Sequence, residues 1–149
     1  MSSSKLFHAA LHEWAEVFMH RSMREWWRYV RNTGLTMPQM NVMMKLFYGG
    51  GCGVSEISAH LDITAAAASQ LVDGLVQKGF ITRVEAEHDR RAKQIALTAE
   101  GRSLIEKGIE ARSAWTRELI HHLDAERREA VSAALKHLAE AARKLETKD

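Results

Sequence analysis

The stretch Val54–Arg83, VSEISAHLDITAAAASQLVDGLVQKGFITR, decides how the rest of the chain is read. Ser55 can cap a short helix that runs through Leu61, and Asp62-Ile63-Thr64 makes a tight turn after it. Thr64 then offers its hydroxyl to the open N–H groups of a second helix, from about Ala65 to Lys78. Gly79 stops that helix at the C′ position, where a left-handed backbone is needed and glycine adopts it without a Cβ penalty. On the second helix Ala68, Leu71, Val72 and Leu75 share one face, while Ala66, Gln70, Asp73 and Gln77 share the other. The first face packs and the second is presented.

Working outward toward the C-terminus, Phe80–Val84 and Gln94–Leu97 are rich in β-branched and large apolar residues and flank the polar run Glu85–Lys93. This pattern predicts a hairpin with a charged tip. Thr98 can cap a long helix carrying Leu104, Ile105, Ile109, Trp115, Leu119 and Leu123, and Asp124 starts another with Val131, Leu135, Leu138 and Leu145. Toward the N-terminus, Gly49-Gly50-Gly51-Cys52-Gly53 reads as a turn, because glycine loses more backbone entropy on ordering than any other residue. Ahead of it Thr36-Met37-Pro38-Gln39 has the capping-box pattern and opens a helix to about Tyr48. The first helix, about Leu6–Val30, sets Phe7, Leu11, Trp14, Phe18, Trp26 and Val30 mostly three or four apart.

The fold class that follows is mainly α with a small β-hairpin wing, a winged helix-turn-helix in one domain over 1–149. About 36–98 form the winged part, and about 1–33 and 100–149 form dimerisation helices. Those terminal helices carry apolar stripes that a small central motif cannot cover, so a homodimer is expected.

Composition narrows the function classes. The 149 residues are 46% hydrophobic and 27% charged, which fits an ordinary globular chain. Cys52 is the only cysteine, so no intrachain disulfide can form, and the first thirty residues do not read as a cleavable signal. No run of roughly 18 apolar residues occurs, and a cytoplasmic location without membrane association is expected. No phosphate-cradling glycine loop, paired catalytic carboxylates or Ser-His-Asp pattern can be placed, which argues against an enzyme and calls for no cofactor. The formal net charge of +2 permits a nucleic-acid partner without demanding one.

A short helix, a tight turn, a helix with an exposed polar face and a charged hairpin together match the shape of duplex DNA. The second helix fits a major groove, and a basic hairpin beside it reaches a neighbouring minor groove or the backbone. Residues 54–83 and the run His88–Gly101, HDRRAKQIALTAEG, also resemble the multiple-antibiotic-resistance regulator (MarR) family. The specific part is Asp89-x-Arg91 with Leu97-Thr98 and Gly101 downstream, after a helix ending in Lys78-Gly79-Phe80-Ile81. This resemblance implies a dimeric transcriptional regulator, by family default a repressor released by a small-molecule or redox signal, that straddles a pseudo-palindromic double-stranded operator. It implies a recognition helix over Ala65–Lys78, with Thr64, Ala65, Ala66, Ser69 and Gln70 as its DNA-facing residues. It also implies a wing over Arg83–Leu97 with Asp89, Arg90, Arg91 and Lys93 at the DNA; Arg91 occupies the wing arginine, and Asp89 the acid that orients it. Two departures stand out. Gly74 replaces the arginine or lysine usual in the family, and the alanines from Ala65 to Ala68 offer methyl contacts more than hydrogen bonds.

Other constellations compete for a role. Trp14, Trp26, Trp27, Met43 and Met44 are candidates for lining a pocket for a small aromatic effector, although aromatics and methionines at helical spacing also build cores. Cys52 is a candidate redox sensor, but no Lys, Arg or His adjoins it in sequence to lower its pKa, which favours an inert turn residue. His8, His12, Glu16 and His20 repeat at intervals of four, the stripe a metal-responsive regulator would need; without a cysteine partner or an HExxH pattern, no metal site is assigned. Arg21, Arg24, Arg28 and Arg31 form one basic helix face, read as solvated or engaged in salt bridges. The remaining alternative is a helical protein-interaction module without DNA affinity.

Overall fold

The computed structural model describes the backbone of residues 2–86 and 89–146 and the side chains of 2–84 and 94–145. The helices are α1 (Ser3–Thr33), α2 (Met37–Gly49), α3 (Val54–Leu61), α4 (Ala65–Gln77), α5 (Ala99–Ser113) and α6 (Ala125–Glu146). The strands β1 (Ile81–Ala86) and β2 (Asp89–Leu97) form an antiparallel hairpin, and a 3₁₀ segment covers Ala114–His121. The chain divides into two units, Met1–Ser113 and Ala114–Asp149.

In the first unit, local chemistry sets most element boundaries. Thr36 Oγ1 accepts from the Gln39 N–H at 3.3 Å while Gln39 Oε1 accepts from the Thr36 N–H at 3.1 Å, which completes the expected capping box of α2. Thr64 Oγ1 accepts from the Ala67 N–H at 3.2 Å and starts α4. At the other end of α4 the Phe80 N–H reaches the Leu75 carbonyl at 3.1 Å and the Gly79 N–H reaches Val76 at 2.9 Å, a Schellman closure with Gly79 at φ 77°. α3 starts differently from expectation. Its N-cap is Gly53, whose N–H donates to Glu56 Oε2 at 2.9 Å, and Ser55 lies exposed inside the first turn.

The core forms where α2, α3, α4, the hairpin and α5 meet. Met40, Met43, Leu46, Ile57, Leu75 and Ile105 are among its fully buried side chains. Ile81 and Ile95 bring the hairpin into the same core, and Trp26 and Val30 bring the C-terminal half of α1. α1 and α5 approach closely because position 108 is glycine; a Cβ there would lie 2.8 Å from ring atoms of Trp26 and Tyr29. The Tyr29 hydroxyl donates to the Leu104 carbonyl at 2.7 Å and locks the same contact.

Three further expectations are corrected. The glycine-rich turn contains a rung of sheet: the Cys52 N–H donates to Ile95 O at 3.1 Å and the Ile95 N–H to Cys52 O at 2.8 Å. The strands extend well into the polar run expected to form only the charged tip, since charged residues pair as well as apolar ones where a hairpin leaves the core. The long helix after Thr98 ends at Ser113, whose hydroxyl donates to the carbonyls of Ile109 and Glu110, each at 3.3 Å. Such back-bonding competes with the helical ladder, and the tighter 3₁₀ segment follows. In the second unit Asp124 Oδ1 accepts from the Arg127 N–H at 2.8 Å and caps α6 as its sequence predicts.

Candidate nucleic-acid interface

The exposed surface of α4 is small and nearly uncharged. Ala65, Ala66, Gln70, Asp73 and Gln77 face solvent, Ser69 is half-buried, and Ala68, Val72 and Leu75 are buried against the core. The division follows the helical period read from the sequence. Gln70 also borders an open cleft of about 450 Å³ whose wall includes Gln39, Asn41, Leu61 and Ile63. Gly74 lies beside α2: a Cβ there would meet only the terminal amide nitrogen of Gln39, at 3.2 Å. The end of a flexible side chain is thus the only neighbour of the missing group.

The junction of α4 with the hairpin is held by several bonds. Thr98 Oγ1 donates to the Gly79 carbonyl at 2.7 Å and accepts from the Gly101 N–H at 3.0 Å, while the Thr98 N–H donates to Phe80 O at 3.0 Å. One threonine therefore ties the end of α4, the start of β1 and the start of α5. Gly101 is required by this closeness, because a Cβ at 101 would lie 2.0 Å from Phe80 O. On the far side of the junction Arg83 Nη2 of β1 donates to Asp73 Oδ1 of α4. Sequence reading missed this ion pair, although a signal existed. Arg83 follows Ile81 by two residues and pairs with Ile95, so alternation puts it on the hairpin face that turns to the core.

The MarR family model matches residues 35–93, from the end of the α1–α2 connection into β2. Over these residues the chain is similar to the MarR family. HTH-type transcriptional regulator PrsX of Escherichia coli is 36% identical over 69 residues, which cover 46% of this chain and 42% of PrsX. The chain thus spans less than half of PrsX, and about half of other curated relatives. Transcriptional regulator Tm0710 from Thermotoga maritima is similar over 97% of this chain and 99% of its own, at a TM-score of 0.79 and 25% identity. A mutant of S. aureus MepR bound to oligodeoxyribonucleotide shares the fold, with a TM-score of 0.63 and 23% identity over 95% of this chain and 99% of that one.

Within the MarR frame the remaining candidates separate by location. Backbone from Asp89 through Lys93 lies in β2, whereas the side chains of Asp89, Arg90, Arg91 and Lys93 lie outside the described residues. Of the aromatic and methionine candidates, Trp26, Met43 and Met44 share one core cluster, whereas Trp14 and Trp27 do not. Trp26 and Met43 are in the core, Met44 is half-buried, and Trp14 and Trp27 are exposed on α1. Twelve residues of helix put about 18 Å between positions 14 and 26, too far for one small ligand pocket. Cys52 is buried, and that burial pushes its thiol pKa up; nearby Lys45 lowers it and Glu56 raises it further. On α1, His12 Nδ1 lies 3.9 Å from Glu16 Oε1. Among the described residues no three His, Cys, Asp or Glu side chains converge to hold a metal ion. Arg24 and Arg28 of the basic stripe both engage Glu25, at 3.5 and 2.6 Å. Among the described residues no helix is long and apolar enough to cross a membrane.

Proposed function

We propose that this MarR family regulator binds double-stranded DNA as a homodimer, inserting α4 into a major groove and extending the hairpin toward the adjacent backbone or minor groove. The observation that carries the reading is the solvent face of α4, where Ala65, Ala66 and Gln70 stand clear of the core on the helix that leads into a paired hairpin. Small side chains let the helix approach base edges and touch thymine methyls, and Gln70 supplies an amide suited to an adenine edge. Thr64 caps α4 and, like Ala65 and Ala66, is exposed at its start. Ser69 serves at the flank, toward phosphate. Asp89, Arg90, Arg91 and Lys93 supply the wing's charge. The oligodeoxyribonucleotide bound to MepR supports a DNA partner for the same fold.

The repressor sense, release by a small aromatic compound and a cytoplasmic location belong to the same proposal, and the protein acts by occupying DNA with no reaction to catalyse. Exposed apolar side chains on α1, including Leu6, Phe7, Trp14 and Val17, supply the motive for a dimer. A gel-shift titration of duplex DNA from about 50 to 200 mM salt tests the reading. DNA affinity should fall steeply, as released counterions require. Absence of binding at the lowest salt would favour a helical interaction module instead.

A further inference from the structure

Between Ala65 and Gln77 the recognition helix carries one ionisable side chain, Asp73, and no cation. A lone carboxylate on a surface offered to a polyanion repels it. In the folded chain Asp73 is engaged by Arg83, and the sheet register explains why. Arg83 pairs with Ile95 and leaves the hairpin on the face that buries Ile81 and Ile95. Where that core ends, the guanidinium runs out along α4 to the carboxylate. Both side chains stay well exposed, 40% for Arg83 and 55% for Asp73. An exposed pair adds little to folding stability, so its consequence is geometric. A guanidinium has five N–H donors in a rigid fork, and the bond to Asp73 Oδ1 uses one of them. The opposite side of the junction is already fixed by the Gly79 closure and Thr98. The ion pair thus adds a side-chain link between the hairpin and α4 to the backbone corner, the Cys52–Ile95 rung and the core contacts of Ile81 and Ile95.

We propose that Asp73 is a positioning residue for DNA reading: it holds the Arg83 guanidinium at the seam between recognition helix and hairpin, where Arg83 meets a backbone phosphate. The proposal rests on the DNA-binding reading. Asp73 cancels part of the charge of Arg83 and in exchange fixes its direction, trading sequence-independent attraction for register on the duplex. Arg83 then contributes at one place on the backbone, and the helix face beside it meets the bases in one alignment.

The test compares full-length wild type with Asp73→Ala, Asp73→Asn, Arg83→Ala and the double variant Asp73→Ala/Arg83→Ala. The probes are the duplex that wild type selects from a random pool and an unrelated duplex of equal length, each titrated at several salt concentrations. Arg83→Ala should weaken binding to both duplexes and reduce the salt slope by about 1 per protomer bound. Asp73→Ala and Asp73→Asn should tighten binding to the unrelated duplex, steepen its salt slope, and lower the selected-to-unrelated affinity ratio roughly tenfold, the scale of a mismatched base pair. With Arg83 already removed, Asp73→Ala should leave that ratio where Arg83→Ala set it. Helix content by circular dichroism confirms folding, and Asp73→Asn, which keeps the shape, serves if the alanine variant unfolds. A ratio and salt slope unchanged in both Asp73 variants, with only the melting temperature moved, would overturn the proposal. Wild type that binds neither duplex at low salt would overturn the DNA reading with it.

Discussion

Cys52 is 5% exposed, and both of its backbone polar groups are bonded to Ile95. Burial holds its thiol protonated at neutral pH, and thiolate is the form that reacts with oxidants and alkylating agents. Native protein should therefore alkylate slowly with iodoacetamide and quickly in urea, as mass spectrometry would read. Cys52→Ser should leave any peroxide response of DNA binding unchanged; fast native labelling or a lost response contradicts both. The linkage has a definite sign. With the folded pKa raised, the folded state holds the proton more tightly, so this group's stability contribution is intact below the unfolded thiol pKa and is lost as pH rises above it. A second residue, Gly101, is constrained by Phe80 O, 2.0 Å from where a Cβ would sit. Gly101→Ala should destabilise the fold by at least about 1–3 kcal/mol, the usual range for overpacking, measured by urea unfolding. Unchanged stability would mean the α5 start has room that its geometry denies. The role of glycine at 101 was legible in the sequence only as part of a family pattern, since the clash depends on a backbone carbonyl 21 residues away.

At the scale of elements, caps and periodicity carried most of the information. Thr36, Thr64, Gly79, Thr98 and Asp124 each do in the structure what their chemistry predicts, because a cap acts within four residues. Features depending on distant partners were not legible, as with the Cys52–Ile95 rung and the Tyr29–Leu104 bond, while strand alternation was the one signal of the Asp73–Arg83 pair. The end of α5 at Ser113 also escaped notice, because the apolar period continues through a stretch that coils as 3₁₀. β1 and β2 continue past the core contacts of Ile81 and Ile95 into a run of charged sequence, and substitutions away from a core change folding energy little. Arg91→Ala should accordingly keep helix content while weakening every operator tested and reducing the salt slope by about 1 to 2 per dimer. Unchanged affinity and slope would remove Arg91 from the interface.

At the scale of the molecule, exposed apolar surface is unevenly placed. α1 buries Trp26 and Val30 in its C-terminal half but exposes Leu6, Phe7 and Val17 in its N-terminal half, and α6 exposes Val131, Leu135 and Leu145. These faces carry the same periodicity that made the helices legible, and an apolar helix face without cover calls for a partner. Light scattering at micromolar concentration should give twice the chain mass. The central claim, that a pair of α4 helices reads DNA, is tested most directly by selecting duplexes from a random pool with the purified protein and sequencing those retained. One pseudo-palindromic motif is expected, with half-sites about 10 base pairs apart, centre to centre, the spacing that two major-groove helices on one face of the duplex require. A retained pool without sequence preference, or with a single unrepeated half-site, would contradict it.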